Sequence, residues 1–231
     1  MDSLGKSAVA EFVATFGLIF IGAGSVVIAT AMGGDLIGVA LAHGLVLAIM
    51  ISVVAHISGG SVNPAVTIGL WVTGKIESAR AGVYIVAELA GAVAGALVLK
   101  LVMPTIWYNA ALGGAPVVAK AVGFGTGKAV LLEAVLTFFL TFAVFGTAID
   151  DRGPLSKTAG FTIGLVIAFD ILVGGPLTGA AMNPARAFGP ELVVGEWADW
   201  WVYWVGPIAG SIIAAVVYWG VFLRDKEPAT P

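Results

Sequence analysis

The chain has 231 residues, 59% of them hydrophobic and 11% charged, with a formal net charge of −3 and no cysteine. A mean hydropathy of +1.03 excludes a soluble domain of this size and points to a polytopic membrane protein. The mildly acidic balance offers no footprint for nucleic acid, and the lack of Cys excludes disulfides and thiol chemistry.

The first residues run straight into an apolar segment too long for a signal-peptide core, which predicts a retained first span. Six apolar segments are predicted at about 8–30, 36–57, 79–102, 128–149, 158–174 and 200–222, each near the roughly 20 residues that a helix needs to cross a bilayer. Span one carries Glu11 and Thr15, four residues apart; span two carries His43 and Gly44-Leu45, with His56 expected at its inner end. Next comes Ser58–Gly69, where Gly59-Gly60 reads as loop and Asn63-Pro64-Ala65 as a helix start, Asn being a favoured N-cap and Pro a favoured first helical residue. Span three holds Glu88 and Ala90-Gly91, and a Gly/Ala-rich connection, 103–127, follows. Span four repeats the Glu-x-x-x-Thr pattern at Glu133 and Thr137. Span five carries Gly164-Leu165 and Asp170 and is expected to end at the Gly174-Gly175 pair. A second helix start follows, Asn183-Pro184-Ala185. Trp197, Trp200, Trp201, Tyr203 and Trp204 read as an interfacial anchor at the start of span six, Ala209-Gly210 matches Ala90-Gly91, and the tail from Arg224 is expected to be disordered.

Each Asn-Pro-Ala starts a half-helix of about ten residues, about 15 Å long and so half a bilayer core. Three spans per half is an odd number, so the second copy enters from the opposite side. The reading is an all-α membrane protein of six transmembrane helices plus two half-helices in an inverted repeat: one channel domain, 1–231, with halves at about 1–115 and 116–231. With the N-terminus inside, the inner segments hold Lys6, Lys75, Arg80, Arg152, Lys157, Arg224 and Lys226 against Lys100, Lys120, Lys128 and Arg186 outside, which favours cytoplasmic termini. Two half-helix N-termini meeting head to head give a midplane zone that donates hydrogen bonds and repels cations, so water oriented there passes while a proton wire is broken.

The doubled Asn-Pro-Ala, the HISGGSVNPAVTIG and GAAMNPARAFGP contexts and the repeated Glu-x-x-x-Thr resemble the major intrinsic protein family, the aquaporins and aquaglyceroporins, over essentially the whole chain. The resemblance implies a homotetramer of independently conducting pores in membrane lipid, with no cofactor and no metal. It also implies an outer filter of four residues, falling here on His43, Ile171, Ala180 and Arg186. This filter and the ILVGGPLTGAAMNPARAFGP run look like those of plant tonoplast intrinsic proteins, whose implied permeants are water and small neutral solutes: ammonia, urea and hydrogen peroxide. The extra loop histidine of ammonia-conducting members is missing, since His43 and His56 are the only histidines. Ala187 and Tyr203-Trp204 stand where glycerol facilitators carry Asp and Pro-Leu, and Glu191 stands where the family usually has a small residue.

Glu11 and Glu133 alone suggest a proton relay; their symmetry and the family pattern suggest that they hold backbone N–H groups of the loops entering the half-helices. Asp170 is expected to pair with a loop Lys such as Lys120 or to make the pore mouth anionic, and His56 to brace its loop or gate the pore with pH. No soluble cleft with paired carboxylates, His/Cys cluster or phosphate loop is present in the sequence, so no enzyme is expected. Three functional readings stay open at this level: a passive channel of aquaporin or glycerol-facilitator type, a proton-coupled carrier, and a membrane adhesion or scaffold protein. The short termini favour a microbial cell membrane, with a vacuolar membrane as the alternative.

Overall fold

A computed structural model describes residues 3–224; Lys226 and the rest of the tail expected to be disordered lie outside the described residues. Among those described there is no strand. The helices are α1 (Ser3–Met32), α2 (Leu36–Ser58), α3 (Pro64–Val72), α4 (Ser78–Val102), α5 (Thr105–Ala110), α6 (Thr126–Val144), α7 (Ala159–Thr178), α8 (Pro184–Val194) and α9 (Val202–Tyr218). π-Helical turns, Phe145–Ile149 and Trp219–Leu223, extend α6 and α9. Six helical segments are long and apolar enough to cross a membrane, and they fall on the six predicted spans. α3 and α8 are the two half-helices.

The ends of these helices are chemically explained. Asp35 caps α2 by accepting from the Gly38 N–H at 2.7 Å, and α2 stops at Gly59, whose φ of 96° only glycine adopts without strain. α7 ends in the same way at Gly179, φ 81°, whose N–H donates to Gly175 O. The expectation that span five stops at Gly174-Gly175 is therefore corrected: both glycines and Pro176 are helical, and the left-handed stop comes at Gly179. Gly174 has a packing role instead, since a Cβ there would lie 2.4 Å from Leu136 Cδ1 on α6.

α1 packs on α4 and α6 on α9, the corresponding pairs of the two halves, while α2 meets α7 across them. That crossing is close enough to need small residues, because a Cβ on Gly164 would stand 2.3 Å from Gly44 O. Outward faces are apolar: Leu41, Leu45, Ile49 and Val53 on α2, and Phe161, Leu165 and Phe169 on α7, are all exposed. In a soluble protein such stripes would aggregate; around a bundle of this length they face lipid or another protein. Trp197, Trp200 and Trp201 of the expected aromatic anchor are exposed. Tyr203 is corrected to an internal residue, fully buried with its hydroxyl donating to Thr178 O at 2.9 Å.

The end of α6 is latched to the end of α9. Arg152 grips the Asp150 carboxylate through Nε (2.6 Å) and Nη2 and donates to Phe222 O at 3.2 Å, while the Tyr218 hydroxyl donates to Asp150 at 3.1 Å. The hydrogen bonds from Arg152 hold the Asp150 carboxyl well below the usual carboxylate range. A depressed value contributes stability that is fully present above the unfolded value, about 4, and is lost only as pH falls through the lower, folded value. Loop 151–158 should accordingly resist limited proteolysis equally at all pH values above about 4, and Asp150→Asn should be cut several-fold faster at neutral pH. Equal resistance of the variant would show that the latch does not hold the loop.

Candidate functional site

The two Asn-Pro-Ala triplets meet at the centre of the bundle. Each Asn is extended (φ −160° at Asn63, −151° at Asn183), and each Oδ1 accepts its own helix's N–H groups: from Ala65 at 2.9 Å, and from Ala185 at 2.9 Å and Arg186 at 3.3 Å. That fixes the amide orientation, because an oxygen facing N–H groups leaves Nδ2 on the other side. One Nδ2 hydrogen of each Asn crosses to the opposite half: Asn63 donates to Met182 O and Asn183 to Val62 O, both at 2.8 Å. The second hydrogen of each remains for whatever lies in front, and both residues line one narrow passage.

The accepting carbonyls belong to residues with left-handed backbone, Val62 (φ 54°) and Met182 (φ 52°). For a β-branched residue such as Val this conformation is strained by about 1–3 kcal/mol and persists only where its surroundings over-determine it. Here they do. Glu11 accepts from the N–H groups of Ser61 (3.1 Å) and Val62 (2.7 Å). Glu133 accepts from those of Ala181 (3.0 Å) and Met182 (2.7 Å), and also from the Thr178 hydroxyl (2.6 Å). The left-handed bend thus turns the N–H toward a buried carboxylate and the C=O toward the opposite Asn. Pro64 and Pro184 follow as first helical residues that need no N–H partner, and Ala65 and Ala185 are fully buried.

Glu88 was singled out in the sequence without a role. It accepts from Asn63 N at 3.1 Å and from the Thr67 hydroxyl at 2.8 Å, so two carboxylates hold the first loop. Thr178, Tyr203 and Gly114 also serve the site without any motif to mark them, whereas Glu88 carries the signal of a carboxylate within a span.

Three spaces lie in series. One vestibule, with room for ≈ 410 Å³ of water, is lined by His43, Ile171 and Arg186. A narrow section of only ≈ 20 Å³ runs past His43, Arg186, Ala180, Asn63 and Asn183, with Leu47, Ile51, Ile163 and Ile167 as an apolar wall. The opposite vestibule, ≈ 340 Å³, shares Val144 and Ile163 with the narrow section and carries Arg80, Tyr84 and Lys75. Glu11 and Glu133 line none of the three.

His43 and Arg186 line both the first vestibule and the narrow section, Ile171 lines only the vestibule, and Ala180 only the narrow section. Arg186 Nη1 donates to Gly114 O at 2.9 Å, and Nη2 lies 3.5 Å from His43 Nε2. His43 Nδ1 lies 2.9 Å from Val39 O, a group that can only accept, so Nδ1 carries the hydrogen and the neutral ring turns the Nε2 lone pair to Arg186. Gly22 makes room for that ring, since a Cβ there would stand 2.6 Å from His43 Cδ2. Ala180 is itself left-handed, φ 44°.

Two expectations about charged neighbours are corrected. Lys120 pairs with Asp199 at 2.6 Å, while Asp170 is buried on α7 with Oδ2 lacking a protein partner and lines neither vestibule. His56 is exposed and lines neither vestibule; the loop it was expected to brace is held by the Tyr84 hydroxyl, which donates to Ser58 O at 2.7 Å and is itself approached by Arg80.

The sequence pattern of the major intrinsic protein family matches residues 2–218. Among curated relatives, the chain is 45% identical over 227 residues to Aquaporin TIP4-4 of Zea mays, covering 95% of this chain and 88% of that one. It is 36% identical to Aquaporin TIP2-1 of Arabidopsis thaliana, covering 96% and 89%. Among solved structures, the aquaglyceroporin from Plasmodium falciparum superposes with a TM-score of 0.87 at 25% identity, covering 96% of this chain and 98% of that one.

Proposed function

Because the chain belongs to the major intrinsic protein family and its aquaporin relatives include the tonoplast-type members, we propose that this multi-pass membrane channel, which is no enzyme, passively conducts water and small neutral solutes while excluding protons and ions. The observation that carries the reading is the pair of reciprocally locked asparagines in the narrow section, between two vestibules roomy enough for many waters. Their free N–H groups, backed by the N-termini of α3 and α8, each worth about half a positive charge, offer donors to a water oxygen and oppose a cation. Its neighbours on either side then face apolar walls and cannot relay a proton.

In this reading, Asn63-Pro64-Ala65 and Asn183-Pro184-Ala185 form the central constriction. His43, Ile171, Ala180 and Arg186 form the outer filter, and Glu11 and Glu133 support the loops. The whole of 1–231 is one channel domain with halves at about 1–115 and 116–231. Ile171 and Ala180 leave the filter amphipathic and relatively open, which supports urea, hydrogen peroxide or ammonia as companions to water. None of Glu11, Glu88 and Glu133 lines the path, which argues against a proton-coupled carrier. The apolar outer faces suit lipid and a homotetramer, with both termini cytoplasmic. The plant relatives remove the support for a microbial cell membrane over a vacuolar one.

Stopped-flow light scattering on proteoliposomes tests the reading with water, urea, ammonia and glycerol on wild type and on His43→Phe/Ile171→His. We expect fast water flux in both proteins and urea and ammonia fluxes that fall several-fold in the double variant. Wild-type water flux no faster than in empty liposomes would overturn the channel reading. Solute fluxes unchanged in the variant would remove these residues from the filter.

A further inference from the structure

Three buried polar atoms beside the proposed filter have no protein partner: Arg186 Nε and both carboxylate oxygens of Glu191. Both residues are almost wholly enclosed, 4% and 1% exposed. They share α8, five residues apart, which separates their Cα atoms by about 7.5 Å along the axis and about 140° around it. On the arc between them Ala187 carries only a methyl group and is fully buried. Each side chain feels the other's charge, yet they make no direct ion pair. The other titratable groups facing Glu191 are Glu196, just past the end of α8, and Tyr203 of α9, whose hydroxyl is committed to Thr178 O. Nearby, Lys120 and Asp199 satisfy each other.

An enclosed carboxylate with neither partner nor water costs several kcal/mol, and buried polar atoms are very rarely left unsatisfied. One orphaned donor and two orphaned acceptors on the same helix complement each other, which is the pattern of an internal water site. We propose that Glu191 is a positioning residue for the filter: buried water bridges its carboxylate to Arg186 Nε and holds the guanidinium from behind. Gly114 O and His43 Nε2 grip the same group from the pore side. The Arg186 charge beside the site favours water over any cation. Without the rear hold, the guanidinium swings and the constriction admits larger solutes.

The proposal rests on Arg186 being a filter residue, and its test separates the two. Wild type, Glu191→Gln and Glu191→Met are compared in proteoliposomes for the ratio of urea to water permeability, alongside crystal structures fine enough to resolve ordered water. Gln retains size and an acceptor; Met retains size alone. We expect a ratio like wild type in Gln, a several-fold higher ratio in Met, and water between Arg186 Nε and residue 191 in wild type and Gln only. Met should fold at least as well as wild type, since it removes an unpaired carboxylate. If Met fails to fold, the Gln ratio and the crystallographic water decide. A wild-type ratio in Met, an equal change in Gln and Met, or a dry site in the wild-type crystal each overturns the proposal. Absent wild-type water flux would instead overturn the channel reading, which the crystallographic water does not depend on.

Discussion

Glu133→Ala should leave almost no folded protein. The substitution strands three buried donors, the Thr178 hydroxyl and the N–H groups of Ala181 and Met182. At about 1–3 kcal/mol for each stranded group, the loss is on the order of 3–9 kcal/mol, comparable with the whole stability of many domains. It also removes the support for the left-handed Met182, whose carbonyl receives Asn63 from the other half. Glu133→Gln keeps one acceptor oxygen but turns an NH₂ toward an N–H, so it should cost about 1–3 kcal/mol and yield less protein. The molecules that do fold should conduct water at the wild-type rate per channel, with no change in pH dependence. Detergent-solubilised yield and monodispersity, followed by flux per reconstituted channel, check both variants. A Gln variant that folds fully but loses a proton-dependent flux would instead establish a carrier.

Gly210→Ala is expected to be nearly as damaging. A Cβ at Gly210 would lie 2.0 Å from Ala134 O, a backbone atom of α6 that has no rotamer to change. The two helices must separate, and we expect a loss at the upper end of roughly 1–3 kcal/mol for overpacking, seen as a lower Tm in detergent. Gly82→Ala is the matched control, because a Cβ there meets nothing within 4 Å. It should be neutral or stabilising by about 0.5–1 kcal/mol through helix propensity. Equal Tm shifts for the two variants would mean that the α6–α9 approach is not as tight as its geometry indicates.

The architecture was legible because its signals are local. Apolar runs gave the six spans, and an Asn-Pro pair carries the cap and the first helical residue of each half-helix within two positions. The errors came where composition had to stand in for three-dimensional context. Gly174-Gly175 reads as loop by residue type, but in a membrane helix glycine is as often a packing surface, here for Leu136. Tyr203 sits in an aromatic run yet points inward, a difference that depends on helix rotation rather than on residue type. Asp170 and Lys120 were paired by charge alone, whereas partner choice is decided by which loop folds over which helix end. Glu88 could be seen as unusual but not interpreted, since its ligands, Asn63 N and Thr67, come from the loop and helix α3. The Gly114 carbonyl that receives Arg186 is invisible in sequence, because any residue carries a carbonyl.

The crossed asparagine bonds also bear on how the chain is made. Asn63 finds its acceptor 119 residues later, at Met182, and Val62 O finds its donor 121 residues later, at Asn183. At roughly 5–20 residues per second, the ribosome needs about 6 to 24 s to supply them. Throughout that interval the first half-helix sits in the nascent bundle with an amide and a carbonyl that lipid cannot satisfy. The first three spans are therefore an assembly intermediate that has to stay hydrated, or sheltered by the insertion machinery, until the second half arrives.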